Sequence, residues 1–97
     1  MNSQSLIDLA GTLPAWSPYC VHAIGDGHAL RLINAGVKRF GFDIHERPET
    51  LIALKGAYAI ETPDGEIAIP AGSAFTVPPG LPHRPANRER CVILVLS

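Results

Sequence analysis

The sequence is poor in cysteine, in aromatic residues and in charge of either sign. Its 97 residues hold two cysteines and one tryptophan, and charged side chains make up 18%. Two cysteines are too few for a small fold stapled by several disulfides. Cys20 and Cys91 each lie in a strand-like apolar run, where free thiols are commonly buried. Both are therefore expected to be free and the protein cytoplasmic, a single disulfide in an exported chain being the alternative. Eight Lys and Arg against nine Asp and Glu give a formal net charge of −1. That balance provides neither the basic stripe of a nucleic-acid binder nor a polybasic membrane anchor. No segment approaches the run of about 18 apolar residues that reads as a membrane span. Met1 to Ser5 carry no basic residue, and Asp8 interrupts the apolar stretch that follows, so no secretion signal is expected. Phosphate-binding loops, dinucleotide fingerprints, βαβ patterns and internal repeats are absent.

What the sequence does have is apolar residues, at 46%, punctuated by nine glycines and nine prolines. Length and composition fit one globular domain over residues 1–97. A chain of this size buries only about two thirds of its unfolded surface, which favours a homodimer. Ser5 as a cap, Asp8 in the first turn and Gly11 as a stop predict a short helix over residues 5–10. Pro14 ends regular structure there, and Trp16 is expected to plug one end of the core. Strands are predicted at Tyr19–Ile24, Ala29–Asn34, Val37–His45, Leu51–Glu61, Glu66–Ile69, Ala74–Val77, Arg84–Asn87 and Cys91–Leu96. Short strands separated by Gly and Pro turns predict an all-β sandwich or barrel over about residues 19–97.

The chemistry concentrates in two stretches. In Phe40 to Glu49, strand alternation sets Asp43 and His45 on one face and Phe40, Phe42 and Ile44 on the other. The second face, if it points outward, is an apolar strip suited to a dimer interface. Pro48 then bends the chain and brings Glu49 beside His45. In Pro78 to His83, a stiff turn presents His83, with Gly80 expected at a positive φ. Two imidazoles and a carboxylate form a ligand set for zinc, iron, nickel or manganese, and match the facial triad of non-heme iron sites. The competing reading is of surface histidines held by local hydrogen bonds. His22 and His28, with no carboxylate around them, read as structural or solvent-facing. Tyr58 and Thr76 are each placed to line a pocket, depending on strand register. Arg47 and Arg84 lie next to the proposed ligands in sequence, where either would suit a carboxylate at the pocket mouth. Asn87 reads as pinning a turn.

These stretches resemble the two signatures of the small single-domain cupins. Asp43-x-His45-x3-Glu49-x6-Gly56 fits the first, with aspartate where that family has its leading histidine. Gly72-x5-Pro78-x-Gly80-x2-His83-x3-Asn87 fits the second at every position. The resemblance covers about half the chain and implies a cupin jelly-roll β-barrel with a short leading helix. It also implies a divalent transition metal held inside the open end by His45, Glu49 and His83. The fourth ligand position falls on Asp43. Three forms are open: two histidines with two carboxylates, three ligands with Asp43 as a base or hydrogen-bond acceptor, or a decayed site.

Three functions follow as expectations. One is a metal-dependent enzyme on a small molecule, isomerase- or dioxygenase-like, in which Asp43 moves a proton. Another is a module that binds or senses a small-molecule ligand without turnover. The third is a metal-free structural remnant. A homodimer is expected in each, with no nucleic-acid or membrane partner.

Overall fold

A computed structural model of the chain describes residues 3–97. The Oγ of Ser5 accepts a hydrogen bond from the Asp8 N–H at 3.2 Å and caps helix α1, Leu6–Ala10. Five residues are far too few to hold a helix in water, so packing does the work. Leu6, Leu9 and Ala10, with Leu13 just beyond, lie on Leu32, Val92 and Leu94.

Eight strands follow: β1 Tyr19–Gly25, β2 His28–Ala35, β3 Glu49–Lys55, β4 Ala57–Thr62, β5 Gly65–Pro70, β6 Ala74–Val77, β7 Arg84–Pro85 and β8 Cys91–Leu96. They form a five-stranded sheet in the order β1-β2-β8-β3-β6 and a three-stranded sheet in the order β5-β4-β7. All pairings are antiparallel. The two sheets make the cupin jelly-roll arrangement. β8 runs through the middle of the larger sheet and is buried from Cys91 to Val95. Its alternate residues serve two layers. Ile93 and Val95 join Leu51, Tyr58, Ile60 and Ile69 between the sheets, while Val92 and Leu94 meet α1 outside. That explains an unbroken apolar run where a half-exposed strand would alternate.

Four local expectations change. The run Leu51–Glu61 is two strands, broken at Gly56, whose φ is +88°. A Cβ there would lie 2.8 Å from Cys91 Sγ and 2.9 Å from the Arg90 carbonyl oxygen, so only glycine fits. Residues 37–45 form no strand, because the segment meets its neighbours at a single bridge, Asp43 with His83. Without a ladder its side chains need not alternate. Phe40 turns inward and meets Trp16 edge-on at 4.9 Å between centroids. Phe42 lies under the Arg84 guanidinium at 4.2 Å, and Ile44 is exposed. Phe42 and Ile44 thus stay outward and exposed, as expected, while Phe40 leaves the strip. Pairing from Arg84 stops at Pro85, and Asn87 beyond it pins a turn as expected. Its amide donates to the Ala35 carbonyl at 3.0 Å and the Glu89 carbonyl at 2.9 Å. Both cysteines are free, but only Cys91 is buried; Cys20 is exposed because β1 is an edge strand. Among the described residues no helix is long and apolar enough to cross a membrane.

Candidate metal centre

Three backbone hydrogen bonds stitch the two chemical stretches together. The Gly80 N–H donates to the His45 carbonyl at 2.9 Å, Asp43 donates to His83 at 2.8 Å, and His83 donates back to Asp43 at 3.0 Å. Gly80 reaches this position with φ +82° directly after Pro78 and Pro79. Glu49 opens β3 and pairs with Val77, the last residue of β6 before those prolines. One carboxylate and two imidazoles thus meet where β3, the 78–83 turn and the 43–45 segment converge.

The Glu49 carboxylate lies between the two histidines. Its Oε1 is 3.4 Å from His83 Nε2, and its Oε2 is 3.9 Å from His45 Nε2. One donor atom from each of the three residues lies within 4.8 Å of the others. His83 is buried, Glu49 half-buried and His45 exposed. His83 Nδ1 is 2.9 Å from the Leu81 carbonyl oxygen. A carbonyl only accepts, so Nδ1 is the donor here, and Nε2, facing Glu49, is the nitrogen that the neutral ring can offer to a metal. Ligating histidines are oriented in this way by a partner on the other ring nitrogen. The donor set therefore fits the group that the sequence implies: His45, Glu49 and His83 are capable of coordinating a divalent transition metal.

Asp43 is not one of the three clustered donors. What it gives the site is its backbone, through the bridge to His83, while the residue also lines the adjoining cavity. That cavity is about 250 Å³. His45, Glu49 and His83 form its polar side; Trp16, Phe40 and Tyr58 form an aromatic side, and aliphatic residues of both sheets complete it. Trp16 is held there under strain, at φ 64°, by its N–H to the Asn34 carbonyl at 2.9 Å and its indole N–H to the Gly36 carbonyl at 3.0 Å. It is thus a cavity wall as well as a plug for the core. Tyr58 is 3% exposed. Burial, then the nearby Glu49 charge, then Cys91 push its hydroxyl above the ordinary 10.0, so it stays neutral.

The remaining candidates sort by register and by partners. Tyr58 lines the cavity; Thr76 does not, since it is exposed and its hydroxyl lies 2.9 Å from that of Thr50. Arg84 is taken up by Glu61 at 2.7 Å and by Phe42. Arg47 borders a groove with His45 and Glu49, but donates to the Asp26 carbonyl at 3.2 Å and lies 3.0 Å from His28 Nε2. His22 and His28 are solvent-facing. Phe40 and the pocket role of Trp16 escape the sequence reading. A positive φ at a tryptophan leaves no sequence trace, and alternation puts Phe40 on the wrong side.

Residues 30–97 match the family model described as Cupin domain. The 3-hydroxyanthranilate 3,4-dioxygenase of Candida albicans is 28% identical over 88 residues, covering 87% of this chain and 50% of that enzyme. The chain spans about half the length of the curated relatives it matches. Among solved structures, a cupin-2 domain protein from Shewanella frigidimarina superposes with a TM-score of 0.82 at 24% identity, over 94% of this chain and 88% of that one. A hydroquinone 1,2-dioxygenase in complex with Cd2+ and 4-hydroxybenzonitrile superposes with a TM-score of 0.81 at 16% identity, over 95% of this chain and 69% of that one.

Proposed function

The chain belongs to the cupin domain family, and on that premise we propose that it is a metal-dependent, dioxygenase-type enzyme acting on a small single-ring aromatic that bears oxygen. The observation that carries this reading is the His45, Glu49 and His83 cluster on the wall of an otherwise aromatic and aliphatic cavity. Size limits the substrate. A cavity of about 150 Å³ holds benzene, so about 250 Å³ suits one substituted ring. Relatives named as dioxygenases of 3-hydroxyanthranilate and of hydroquinone support the same class.

A divalent metal on two histidines and one carboxylate supplies open positions, Lewis acidity toward ring oxygens and the means to use dioxygen. The chain's own residues do the rest. Trp16 and Phe40, packed edge-on against each other, form one wall against the ring, and Leu51, Ile60, Ile93 and Val95 keep water from it. Glu49 places its carboxylate between the two imidazoles, and the Leu81 carbonyl orients His83. Asp43, on the cavity wall outside the donor cluster, accepts the proton that a ring hydroxyl gives up. The test is oxygen uptake by iron-loaded protein on a panel of catechol, hydroquinone, 2-aminophenol and 3-hydroxyanthranilate. Uptake with loss of the aromatic absorbance on at least one ring is expected, and it should vanish in His83→Ala. Iron-loaded protein that consumes no oxygen with any of them overturns the enzyme reading in favour of a binding module.

A further inference from the structure

Tyr58 is almost wholly buried, yet its hydroxyl bonds to no other group among the described residues. Side-chain hydrogen bonds account for the neighbouring polar groups, such as His83 on Leu81 and Asn87 on Ala35, but none reaches Tyr58. The hydroxyl is not sealed off either. Among the described residues the one sealed and unpartnered side-chain polar atom is Asn34 Oδ1. The Tyr58 oxygen is therefore open to space, and the space that Tyr58 lines is the metal-centre cavity. A hydroxyl that opens on the cavity with no protein partner is left to whatever fills that cavity, and an apolar occupant would leave it unpaired. The hydroxyl is complementary to something that enters the cavity.

We propose that Tyr58 is the specificity-determining residue of this cavity, its hydroxyl donating a hydrogen bond to an oxygen substituent on the bound ring. The inference rests on the aromatic-ligand reading and deepens it by naming the group that recognises the ring's oxygen. A phenol O–H donates, and it shares the cavity with the donor cluster and Asp43 on one side and with the apolar walls of Trp16, Phe40 and the aliphatic residues on the others. An oxygenated ring satisfies the hydroxyl; a bare ring leaves it unpaired.

The test compares 4-iodophenol with iodobenzene on zinc-loaded protein, read by heavy-atom quenching of Trp16, the single tryptophan, which lines the same cavity. The unmodified protein should prefer 4-iodophenol. In Tyr58→Phe that preference should shrink by about tenfold, while iodobenzene, with no oxygen to accept the bond, binds as before. An unchanged preference overturns the inference, because the oxygen is then read by another group. A parallel loss for both probes also overturns it, because the hydroxyl then only shapes the cavity. Thermal unfolding guards against a folding artefact. Tyr58→Phe should melt at or above the unmodified protein, and a lower melting temperature would reveal a structural partner and sink the idea. If neither probe quenches Trp16 in the unmodified zinc-loaded protein, it is the aromatic-ligand reading itself that fails.

Discussion

Asp43 and His83 exchange both of their backbone hydrogen bonds, at 2.8 and 3.0 Å, across an isolated two-residue bridge. This bridge sets buried His83 against a segment that has no other strand pairing. Asp43 thus holds His83 through its main chain, while the exposed residue stands on the cavity wall outside the donor cluster. Asp43→Asn keeps the bridge, so metal affinity should fall by about tenfold or less. Oxygen uptake on the responsive ring should fall by about a hundredfold or more, since the proton acceptor is gone. Parallel calorimetry and uptake assays check this. A loss of metal affinity as large as that of His83→Ala would make Asp43 a ligand.

Gly56 separates β3 from β4 with a positive φ and a backbone pressed against Cys91 and Arg90. Gly56→Ala meets both the strained φ and a contact under 3 Å, made partly with backbone that cannot swing away. A loss of about 2 kcal/mol or more is expected in urea unfolding. Gly80→Ala has the same positive φ but open space around it, and should cost less.

Tyr58 gives the metal-free protein an alkaline limit. Its folded hydroxyl ionises above the ordinary 10.0 because it is buried beside Glu49, whereas the unfolded chain ionises it at that value. The contribution is therefore fully present below pH 10 and is lost as the pH rises toward the folded value. Denaturant midpoints measured upward from pH 9 should fall more steeply for the unmodified protein than for Tyr58→Phe.

The dimer expected from chain length has a candidate surface beyond the exposed Phe42 and Ile44. β1 supplies one. It is a seven-residue edge strand with β2 as its single neighbour, and Tyr19, Cys20 and Ile24 are exposed along it. Such an edge pairs readily with another chain. Light scattering at micromolar concentration should give twice the 10.4 kDa chain mass, and a charged residue at Ile24 should shift it toward one. A 10.4 kDa species for the unmodified protein would defeat this expectation.

The legible parts of the sequence were those where backbone chemistry leaves little choice. The two prolines and Gly80 fix a turn whatever surrounds it, so His83 could be aimed from sequence alone. The Ser5 cap and the closing strand Cys91–Leu96 were equally plain. Alternation failed at Val37 to His45 because it reports side-chain chemistry and not the presence of a partner strand. At the barrel mouth only Asp43 finds one. For the same reason alternation points Phe40 outward, whereas Trp16 draws it in. Thr76 fell on the outer face because its register against β3 pairs it with Thr50. The exposure of Cys20 depends on β1 lying at a sheet edge, which strand order alone decides.

His45, Glu49 and His83 are expected to hold one divalent ion per chain. Calorimetric titration of metal-stripped protein with zinc, iron, manganese and nickel measures this. One ion per chain is expected, with affinity falling by more than about a hundredfold in Glu49→Ala and in His83→Ala, since a lost donor costs more than a lost supporting partner. No binding at millimolar metal, or variants that bind as the unmodified protein does, would contradict it.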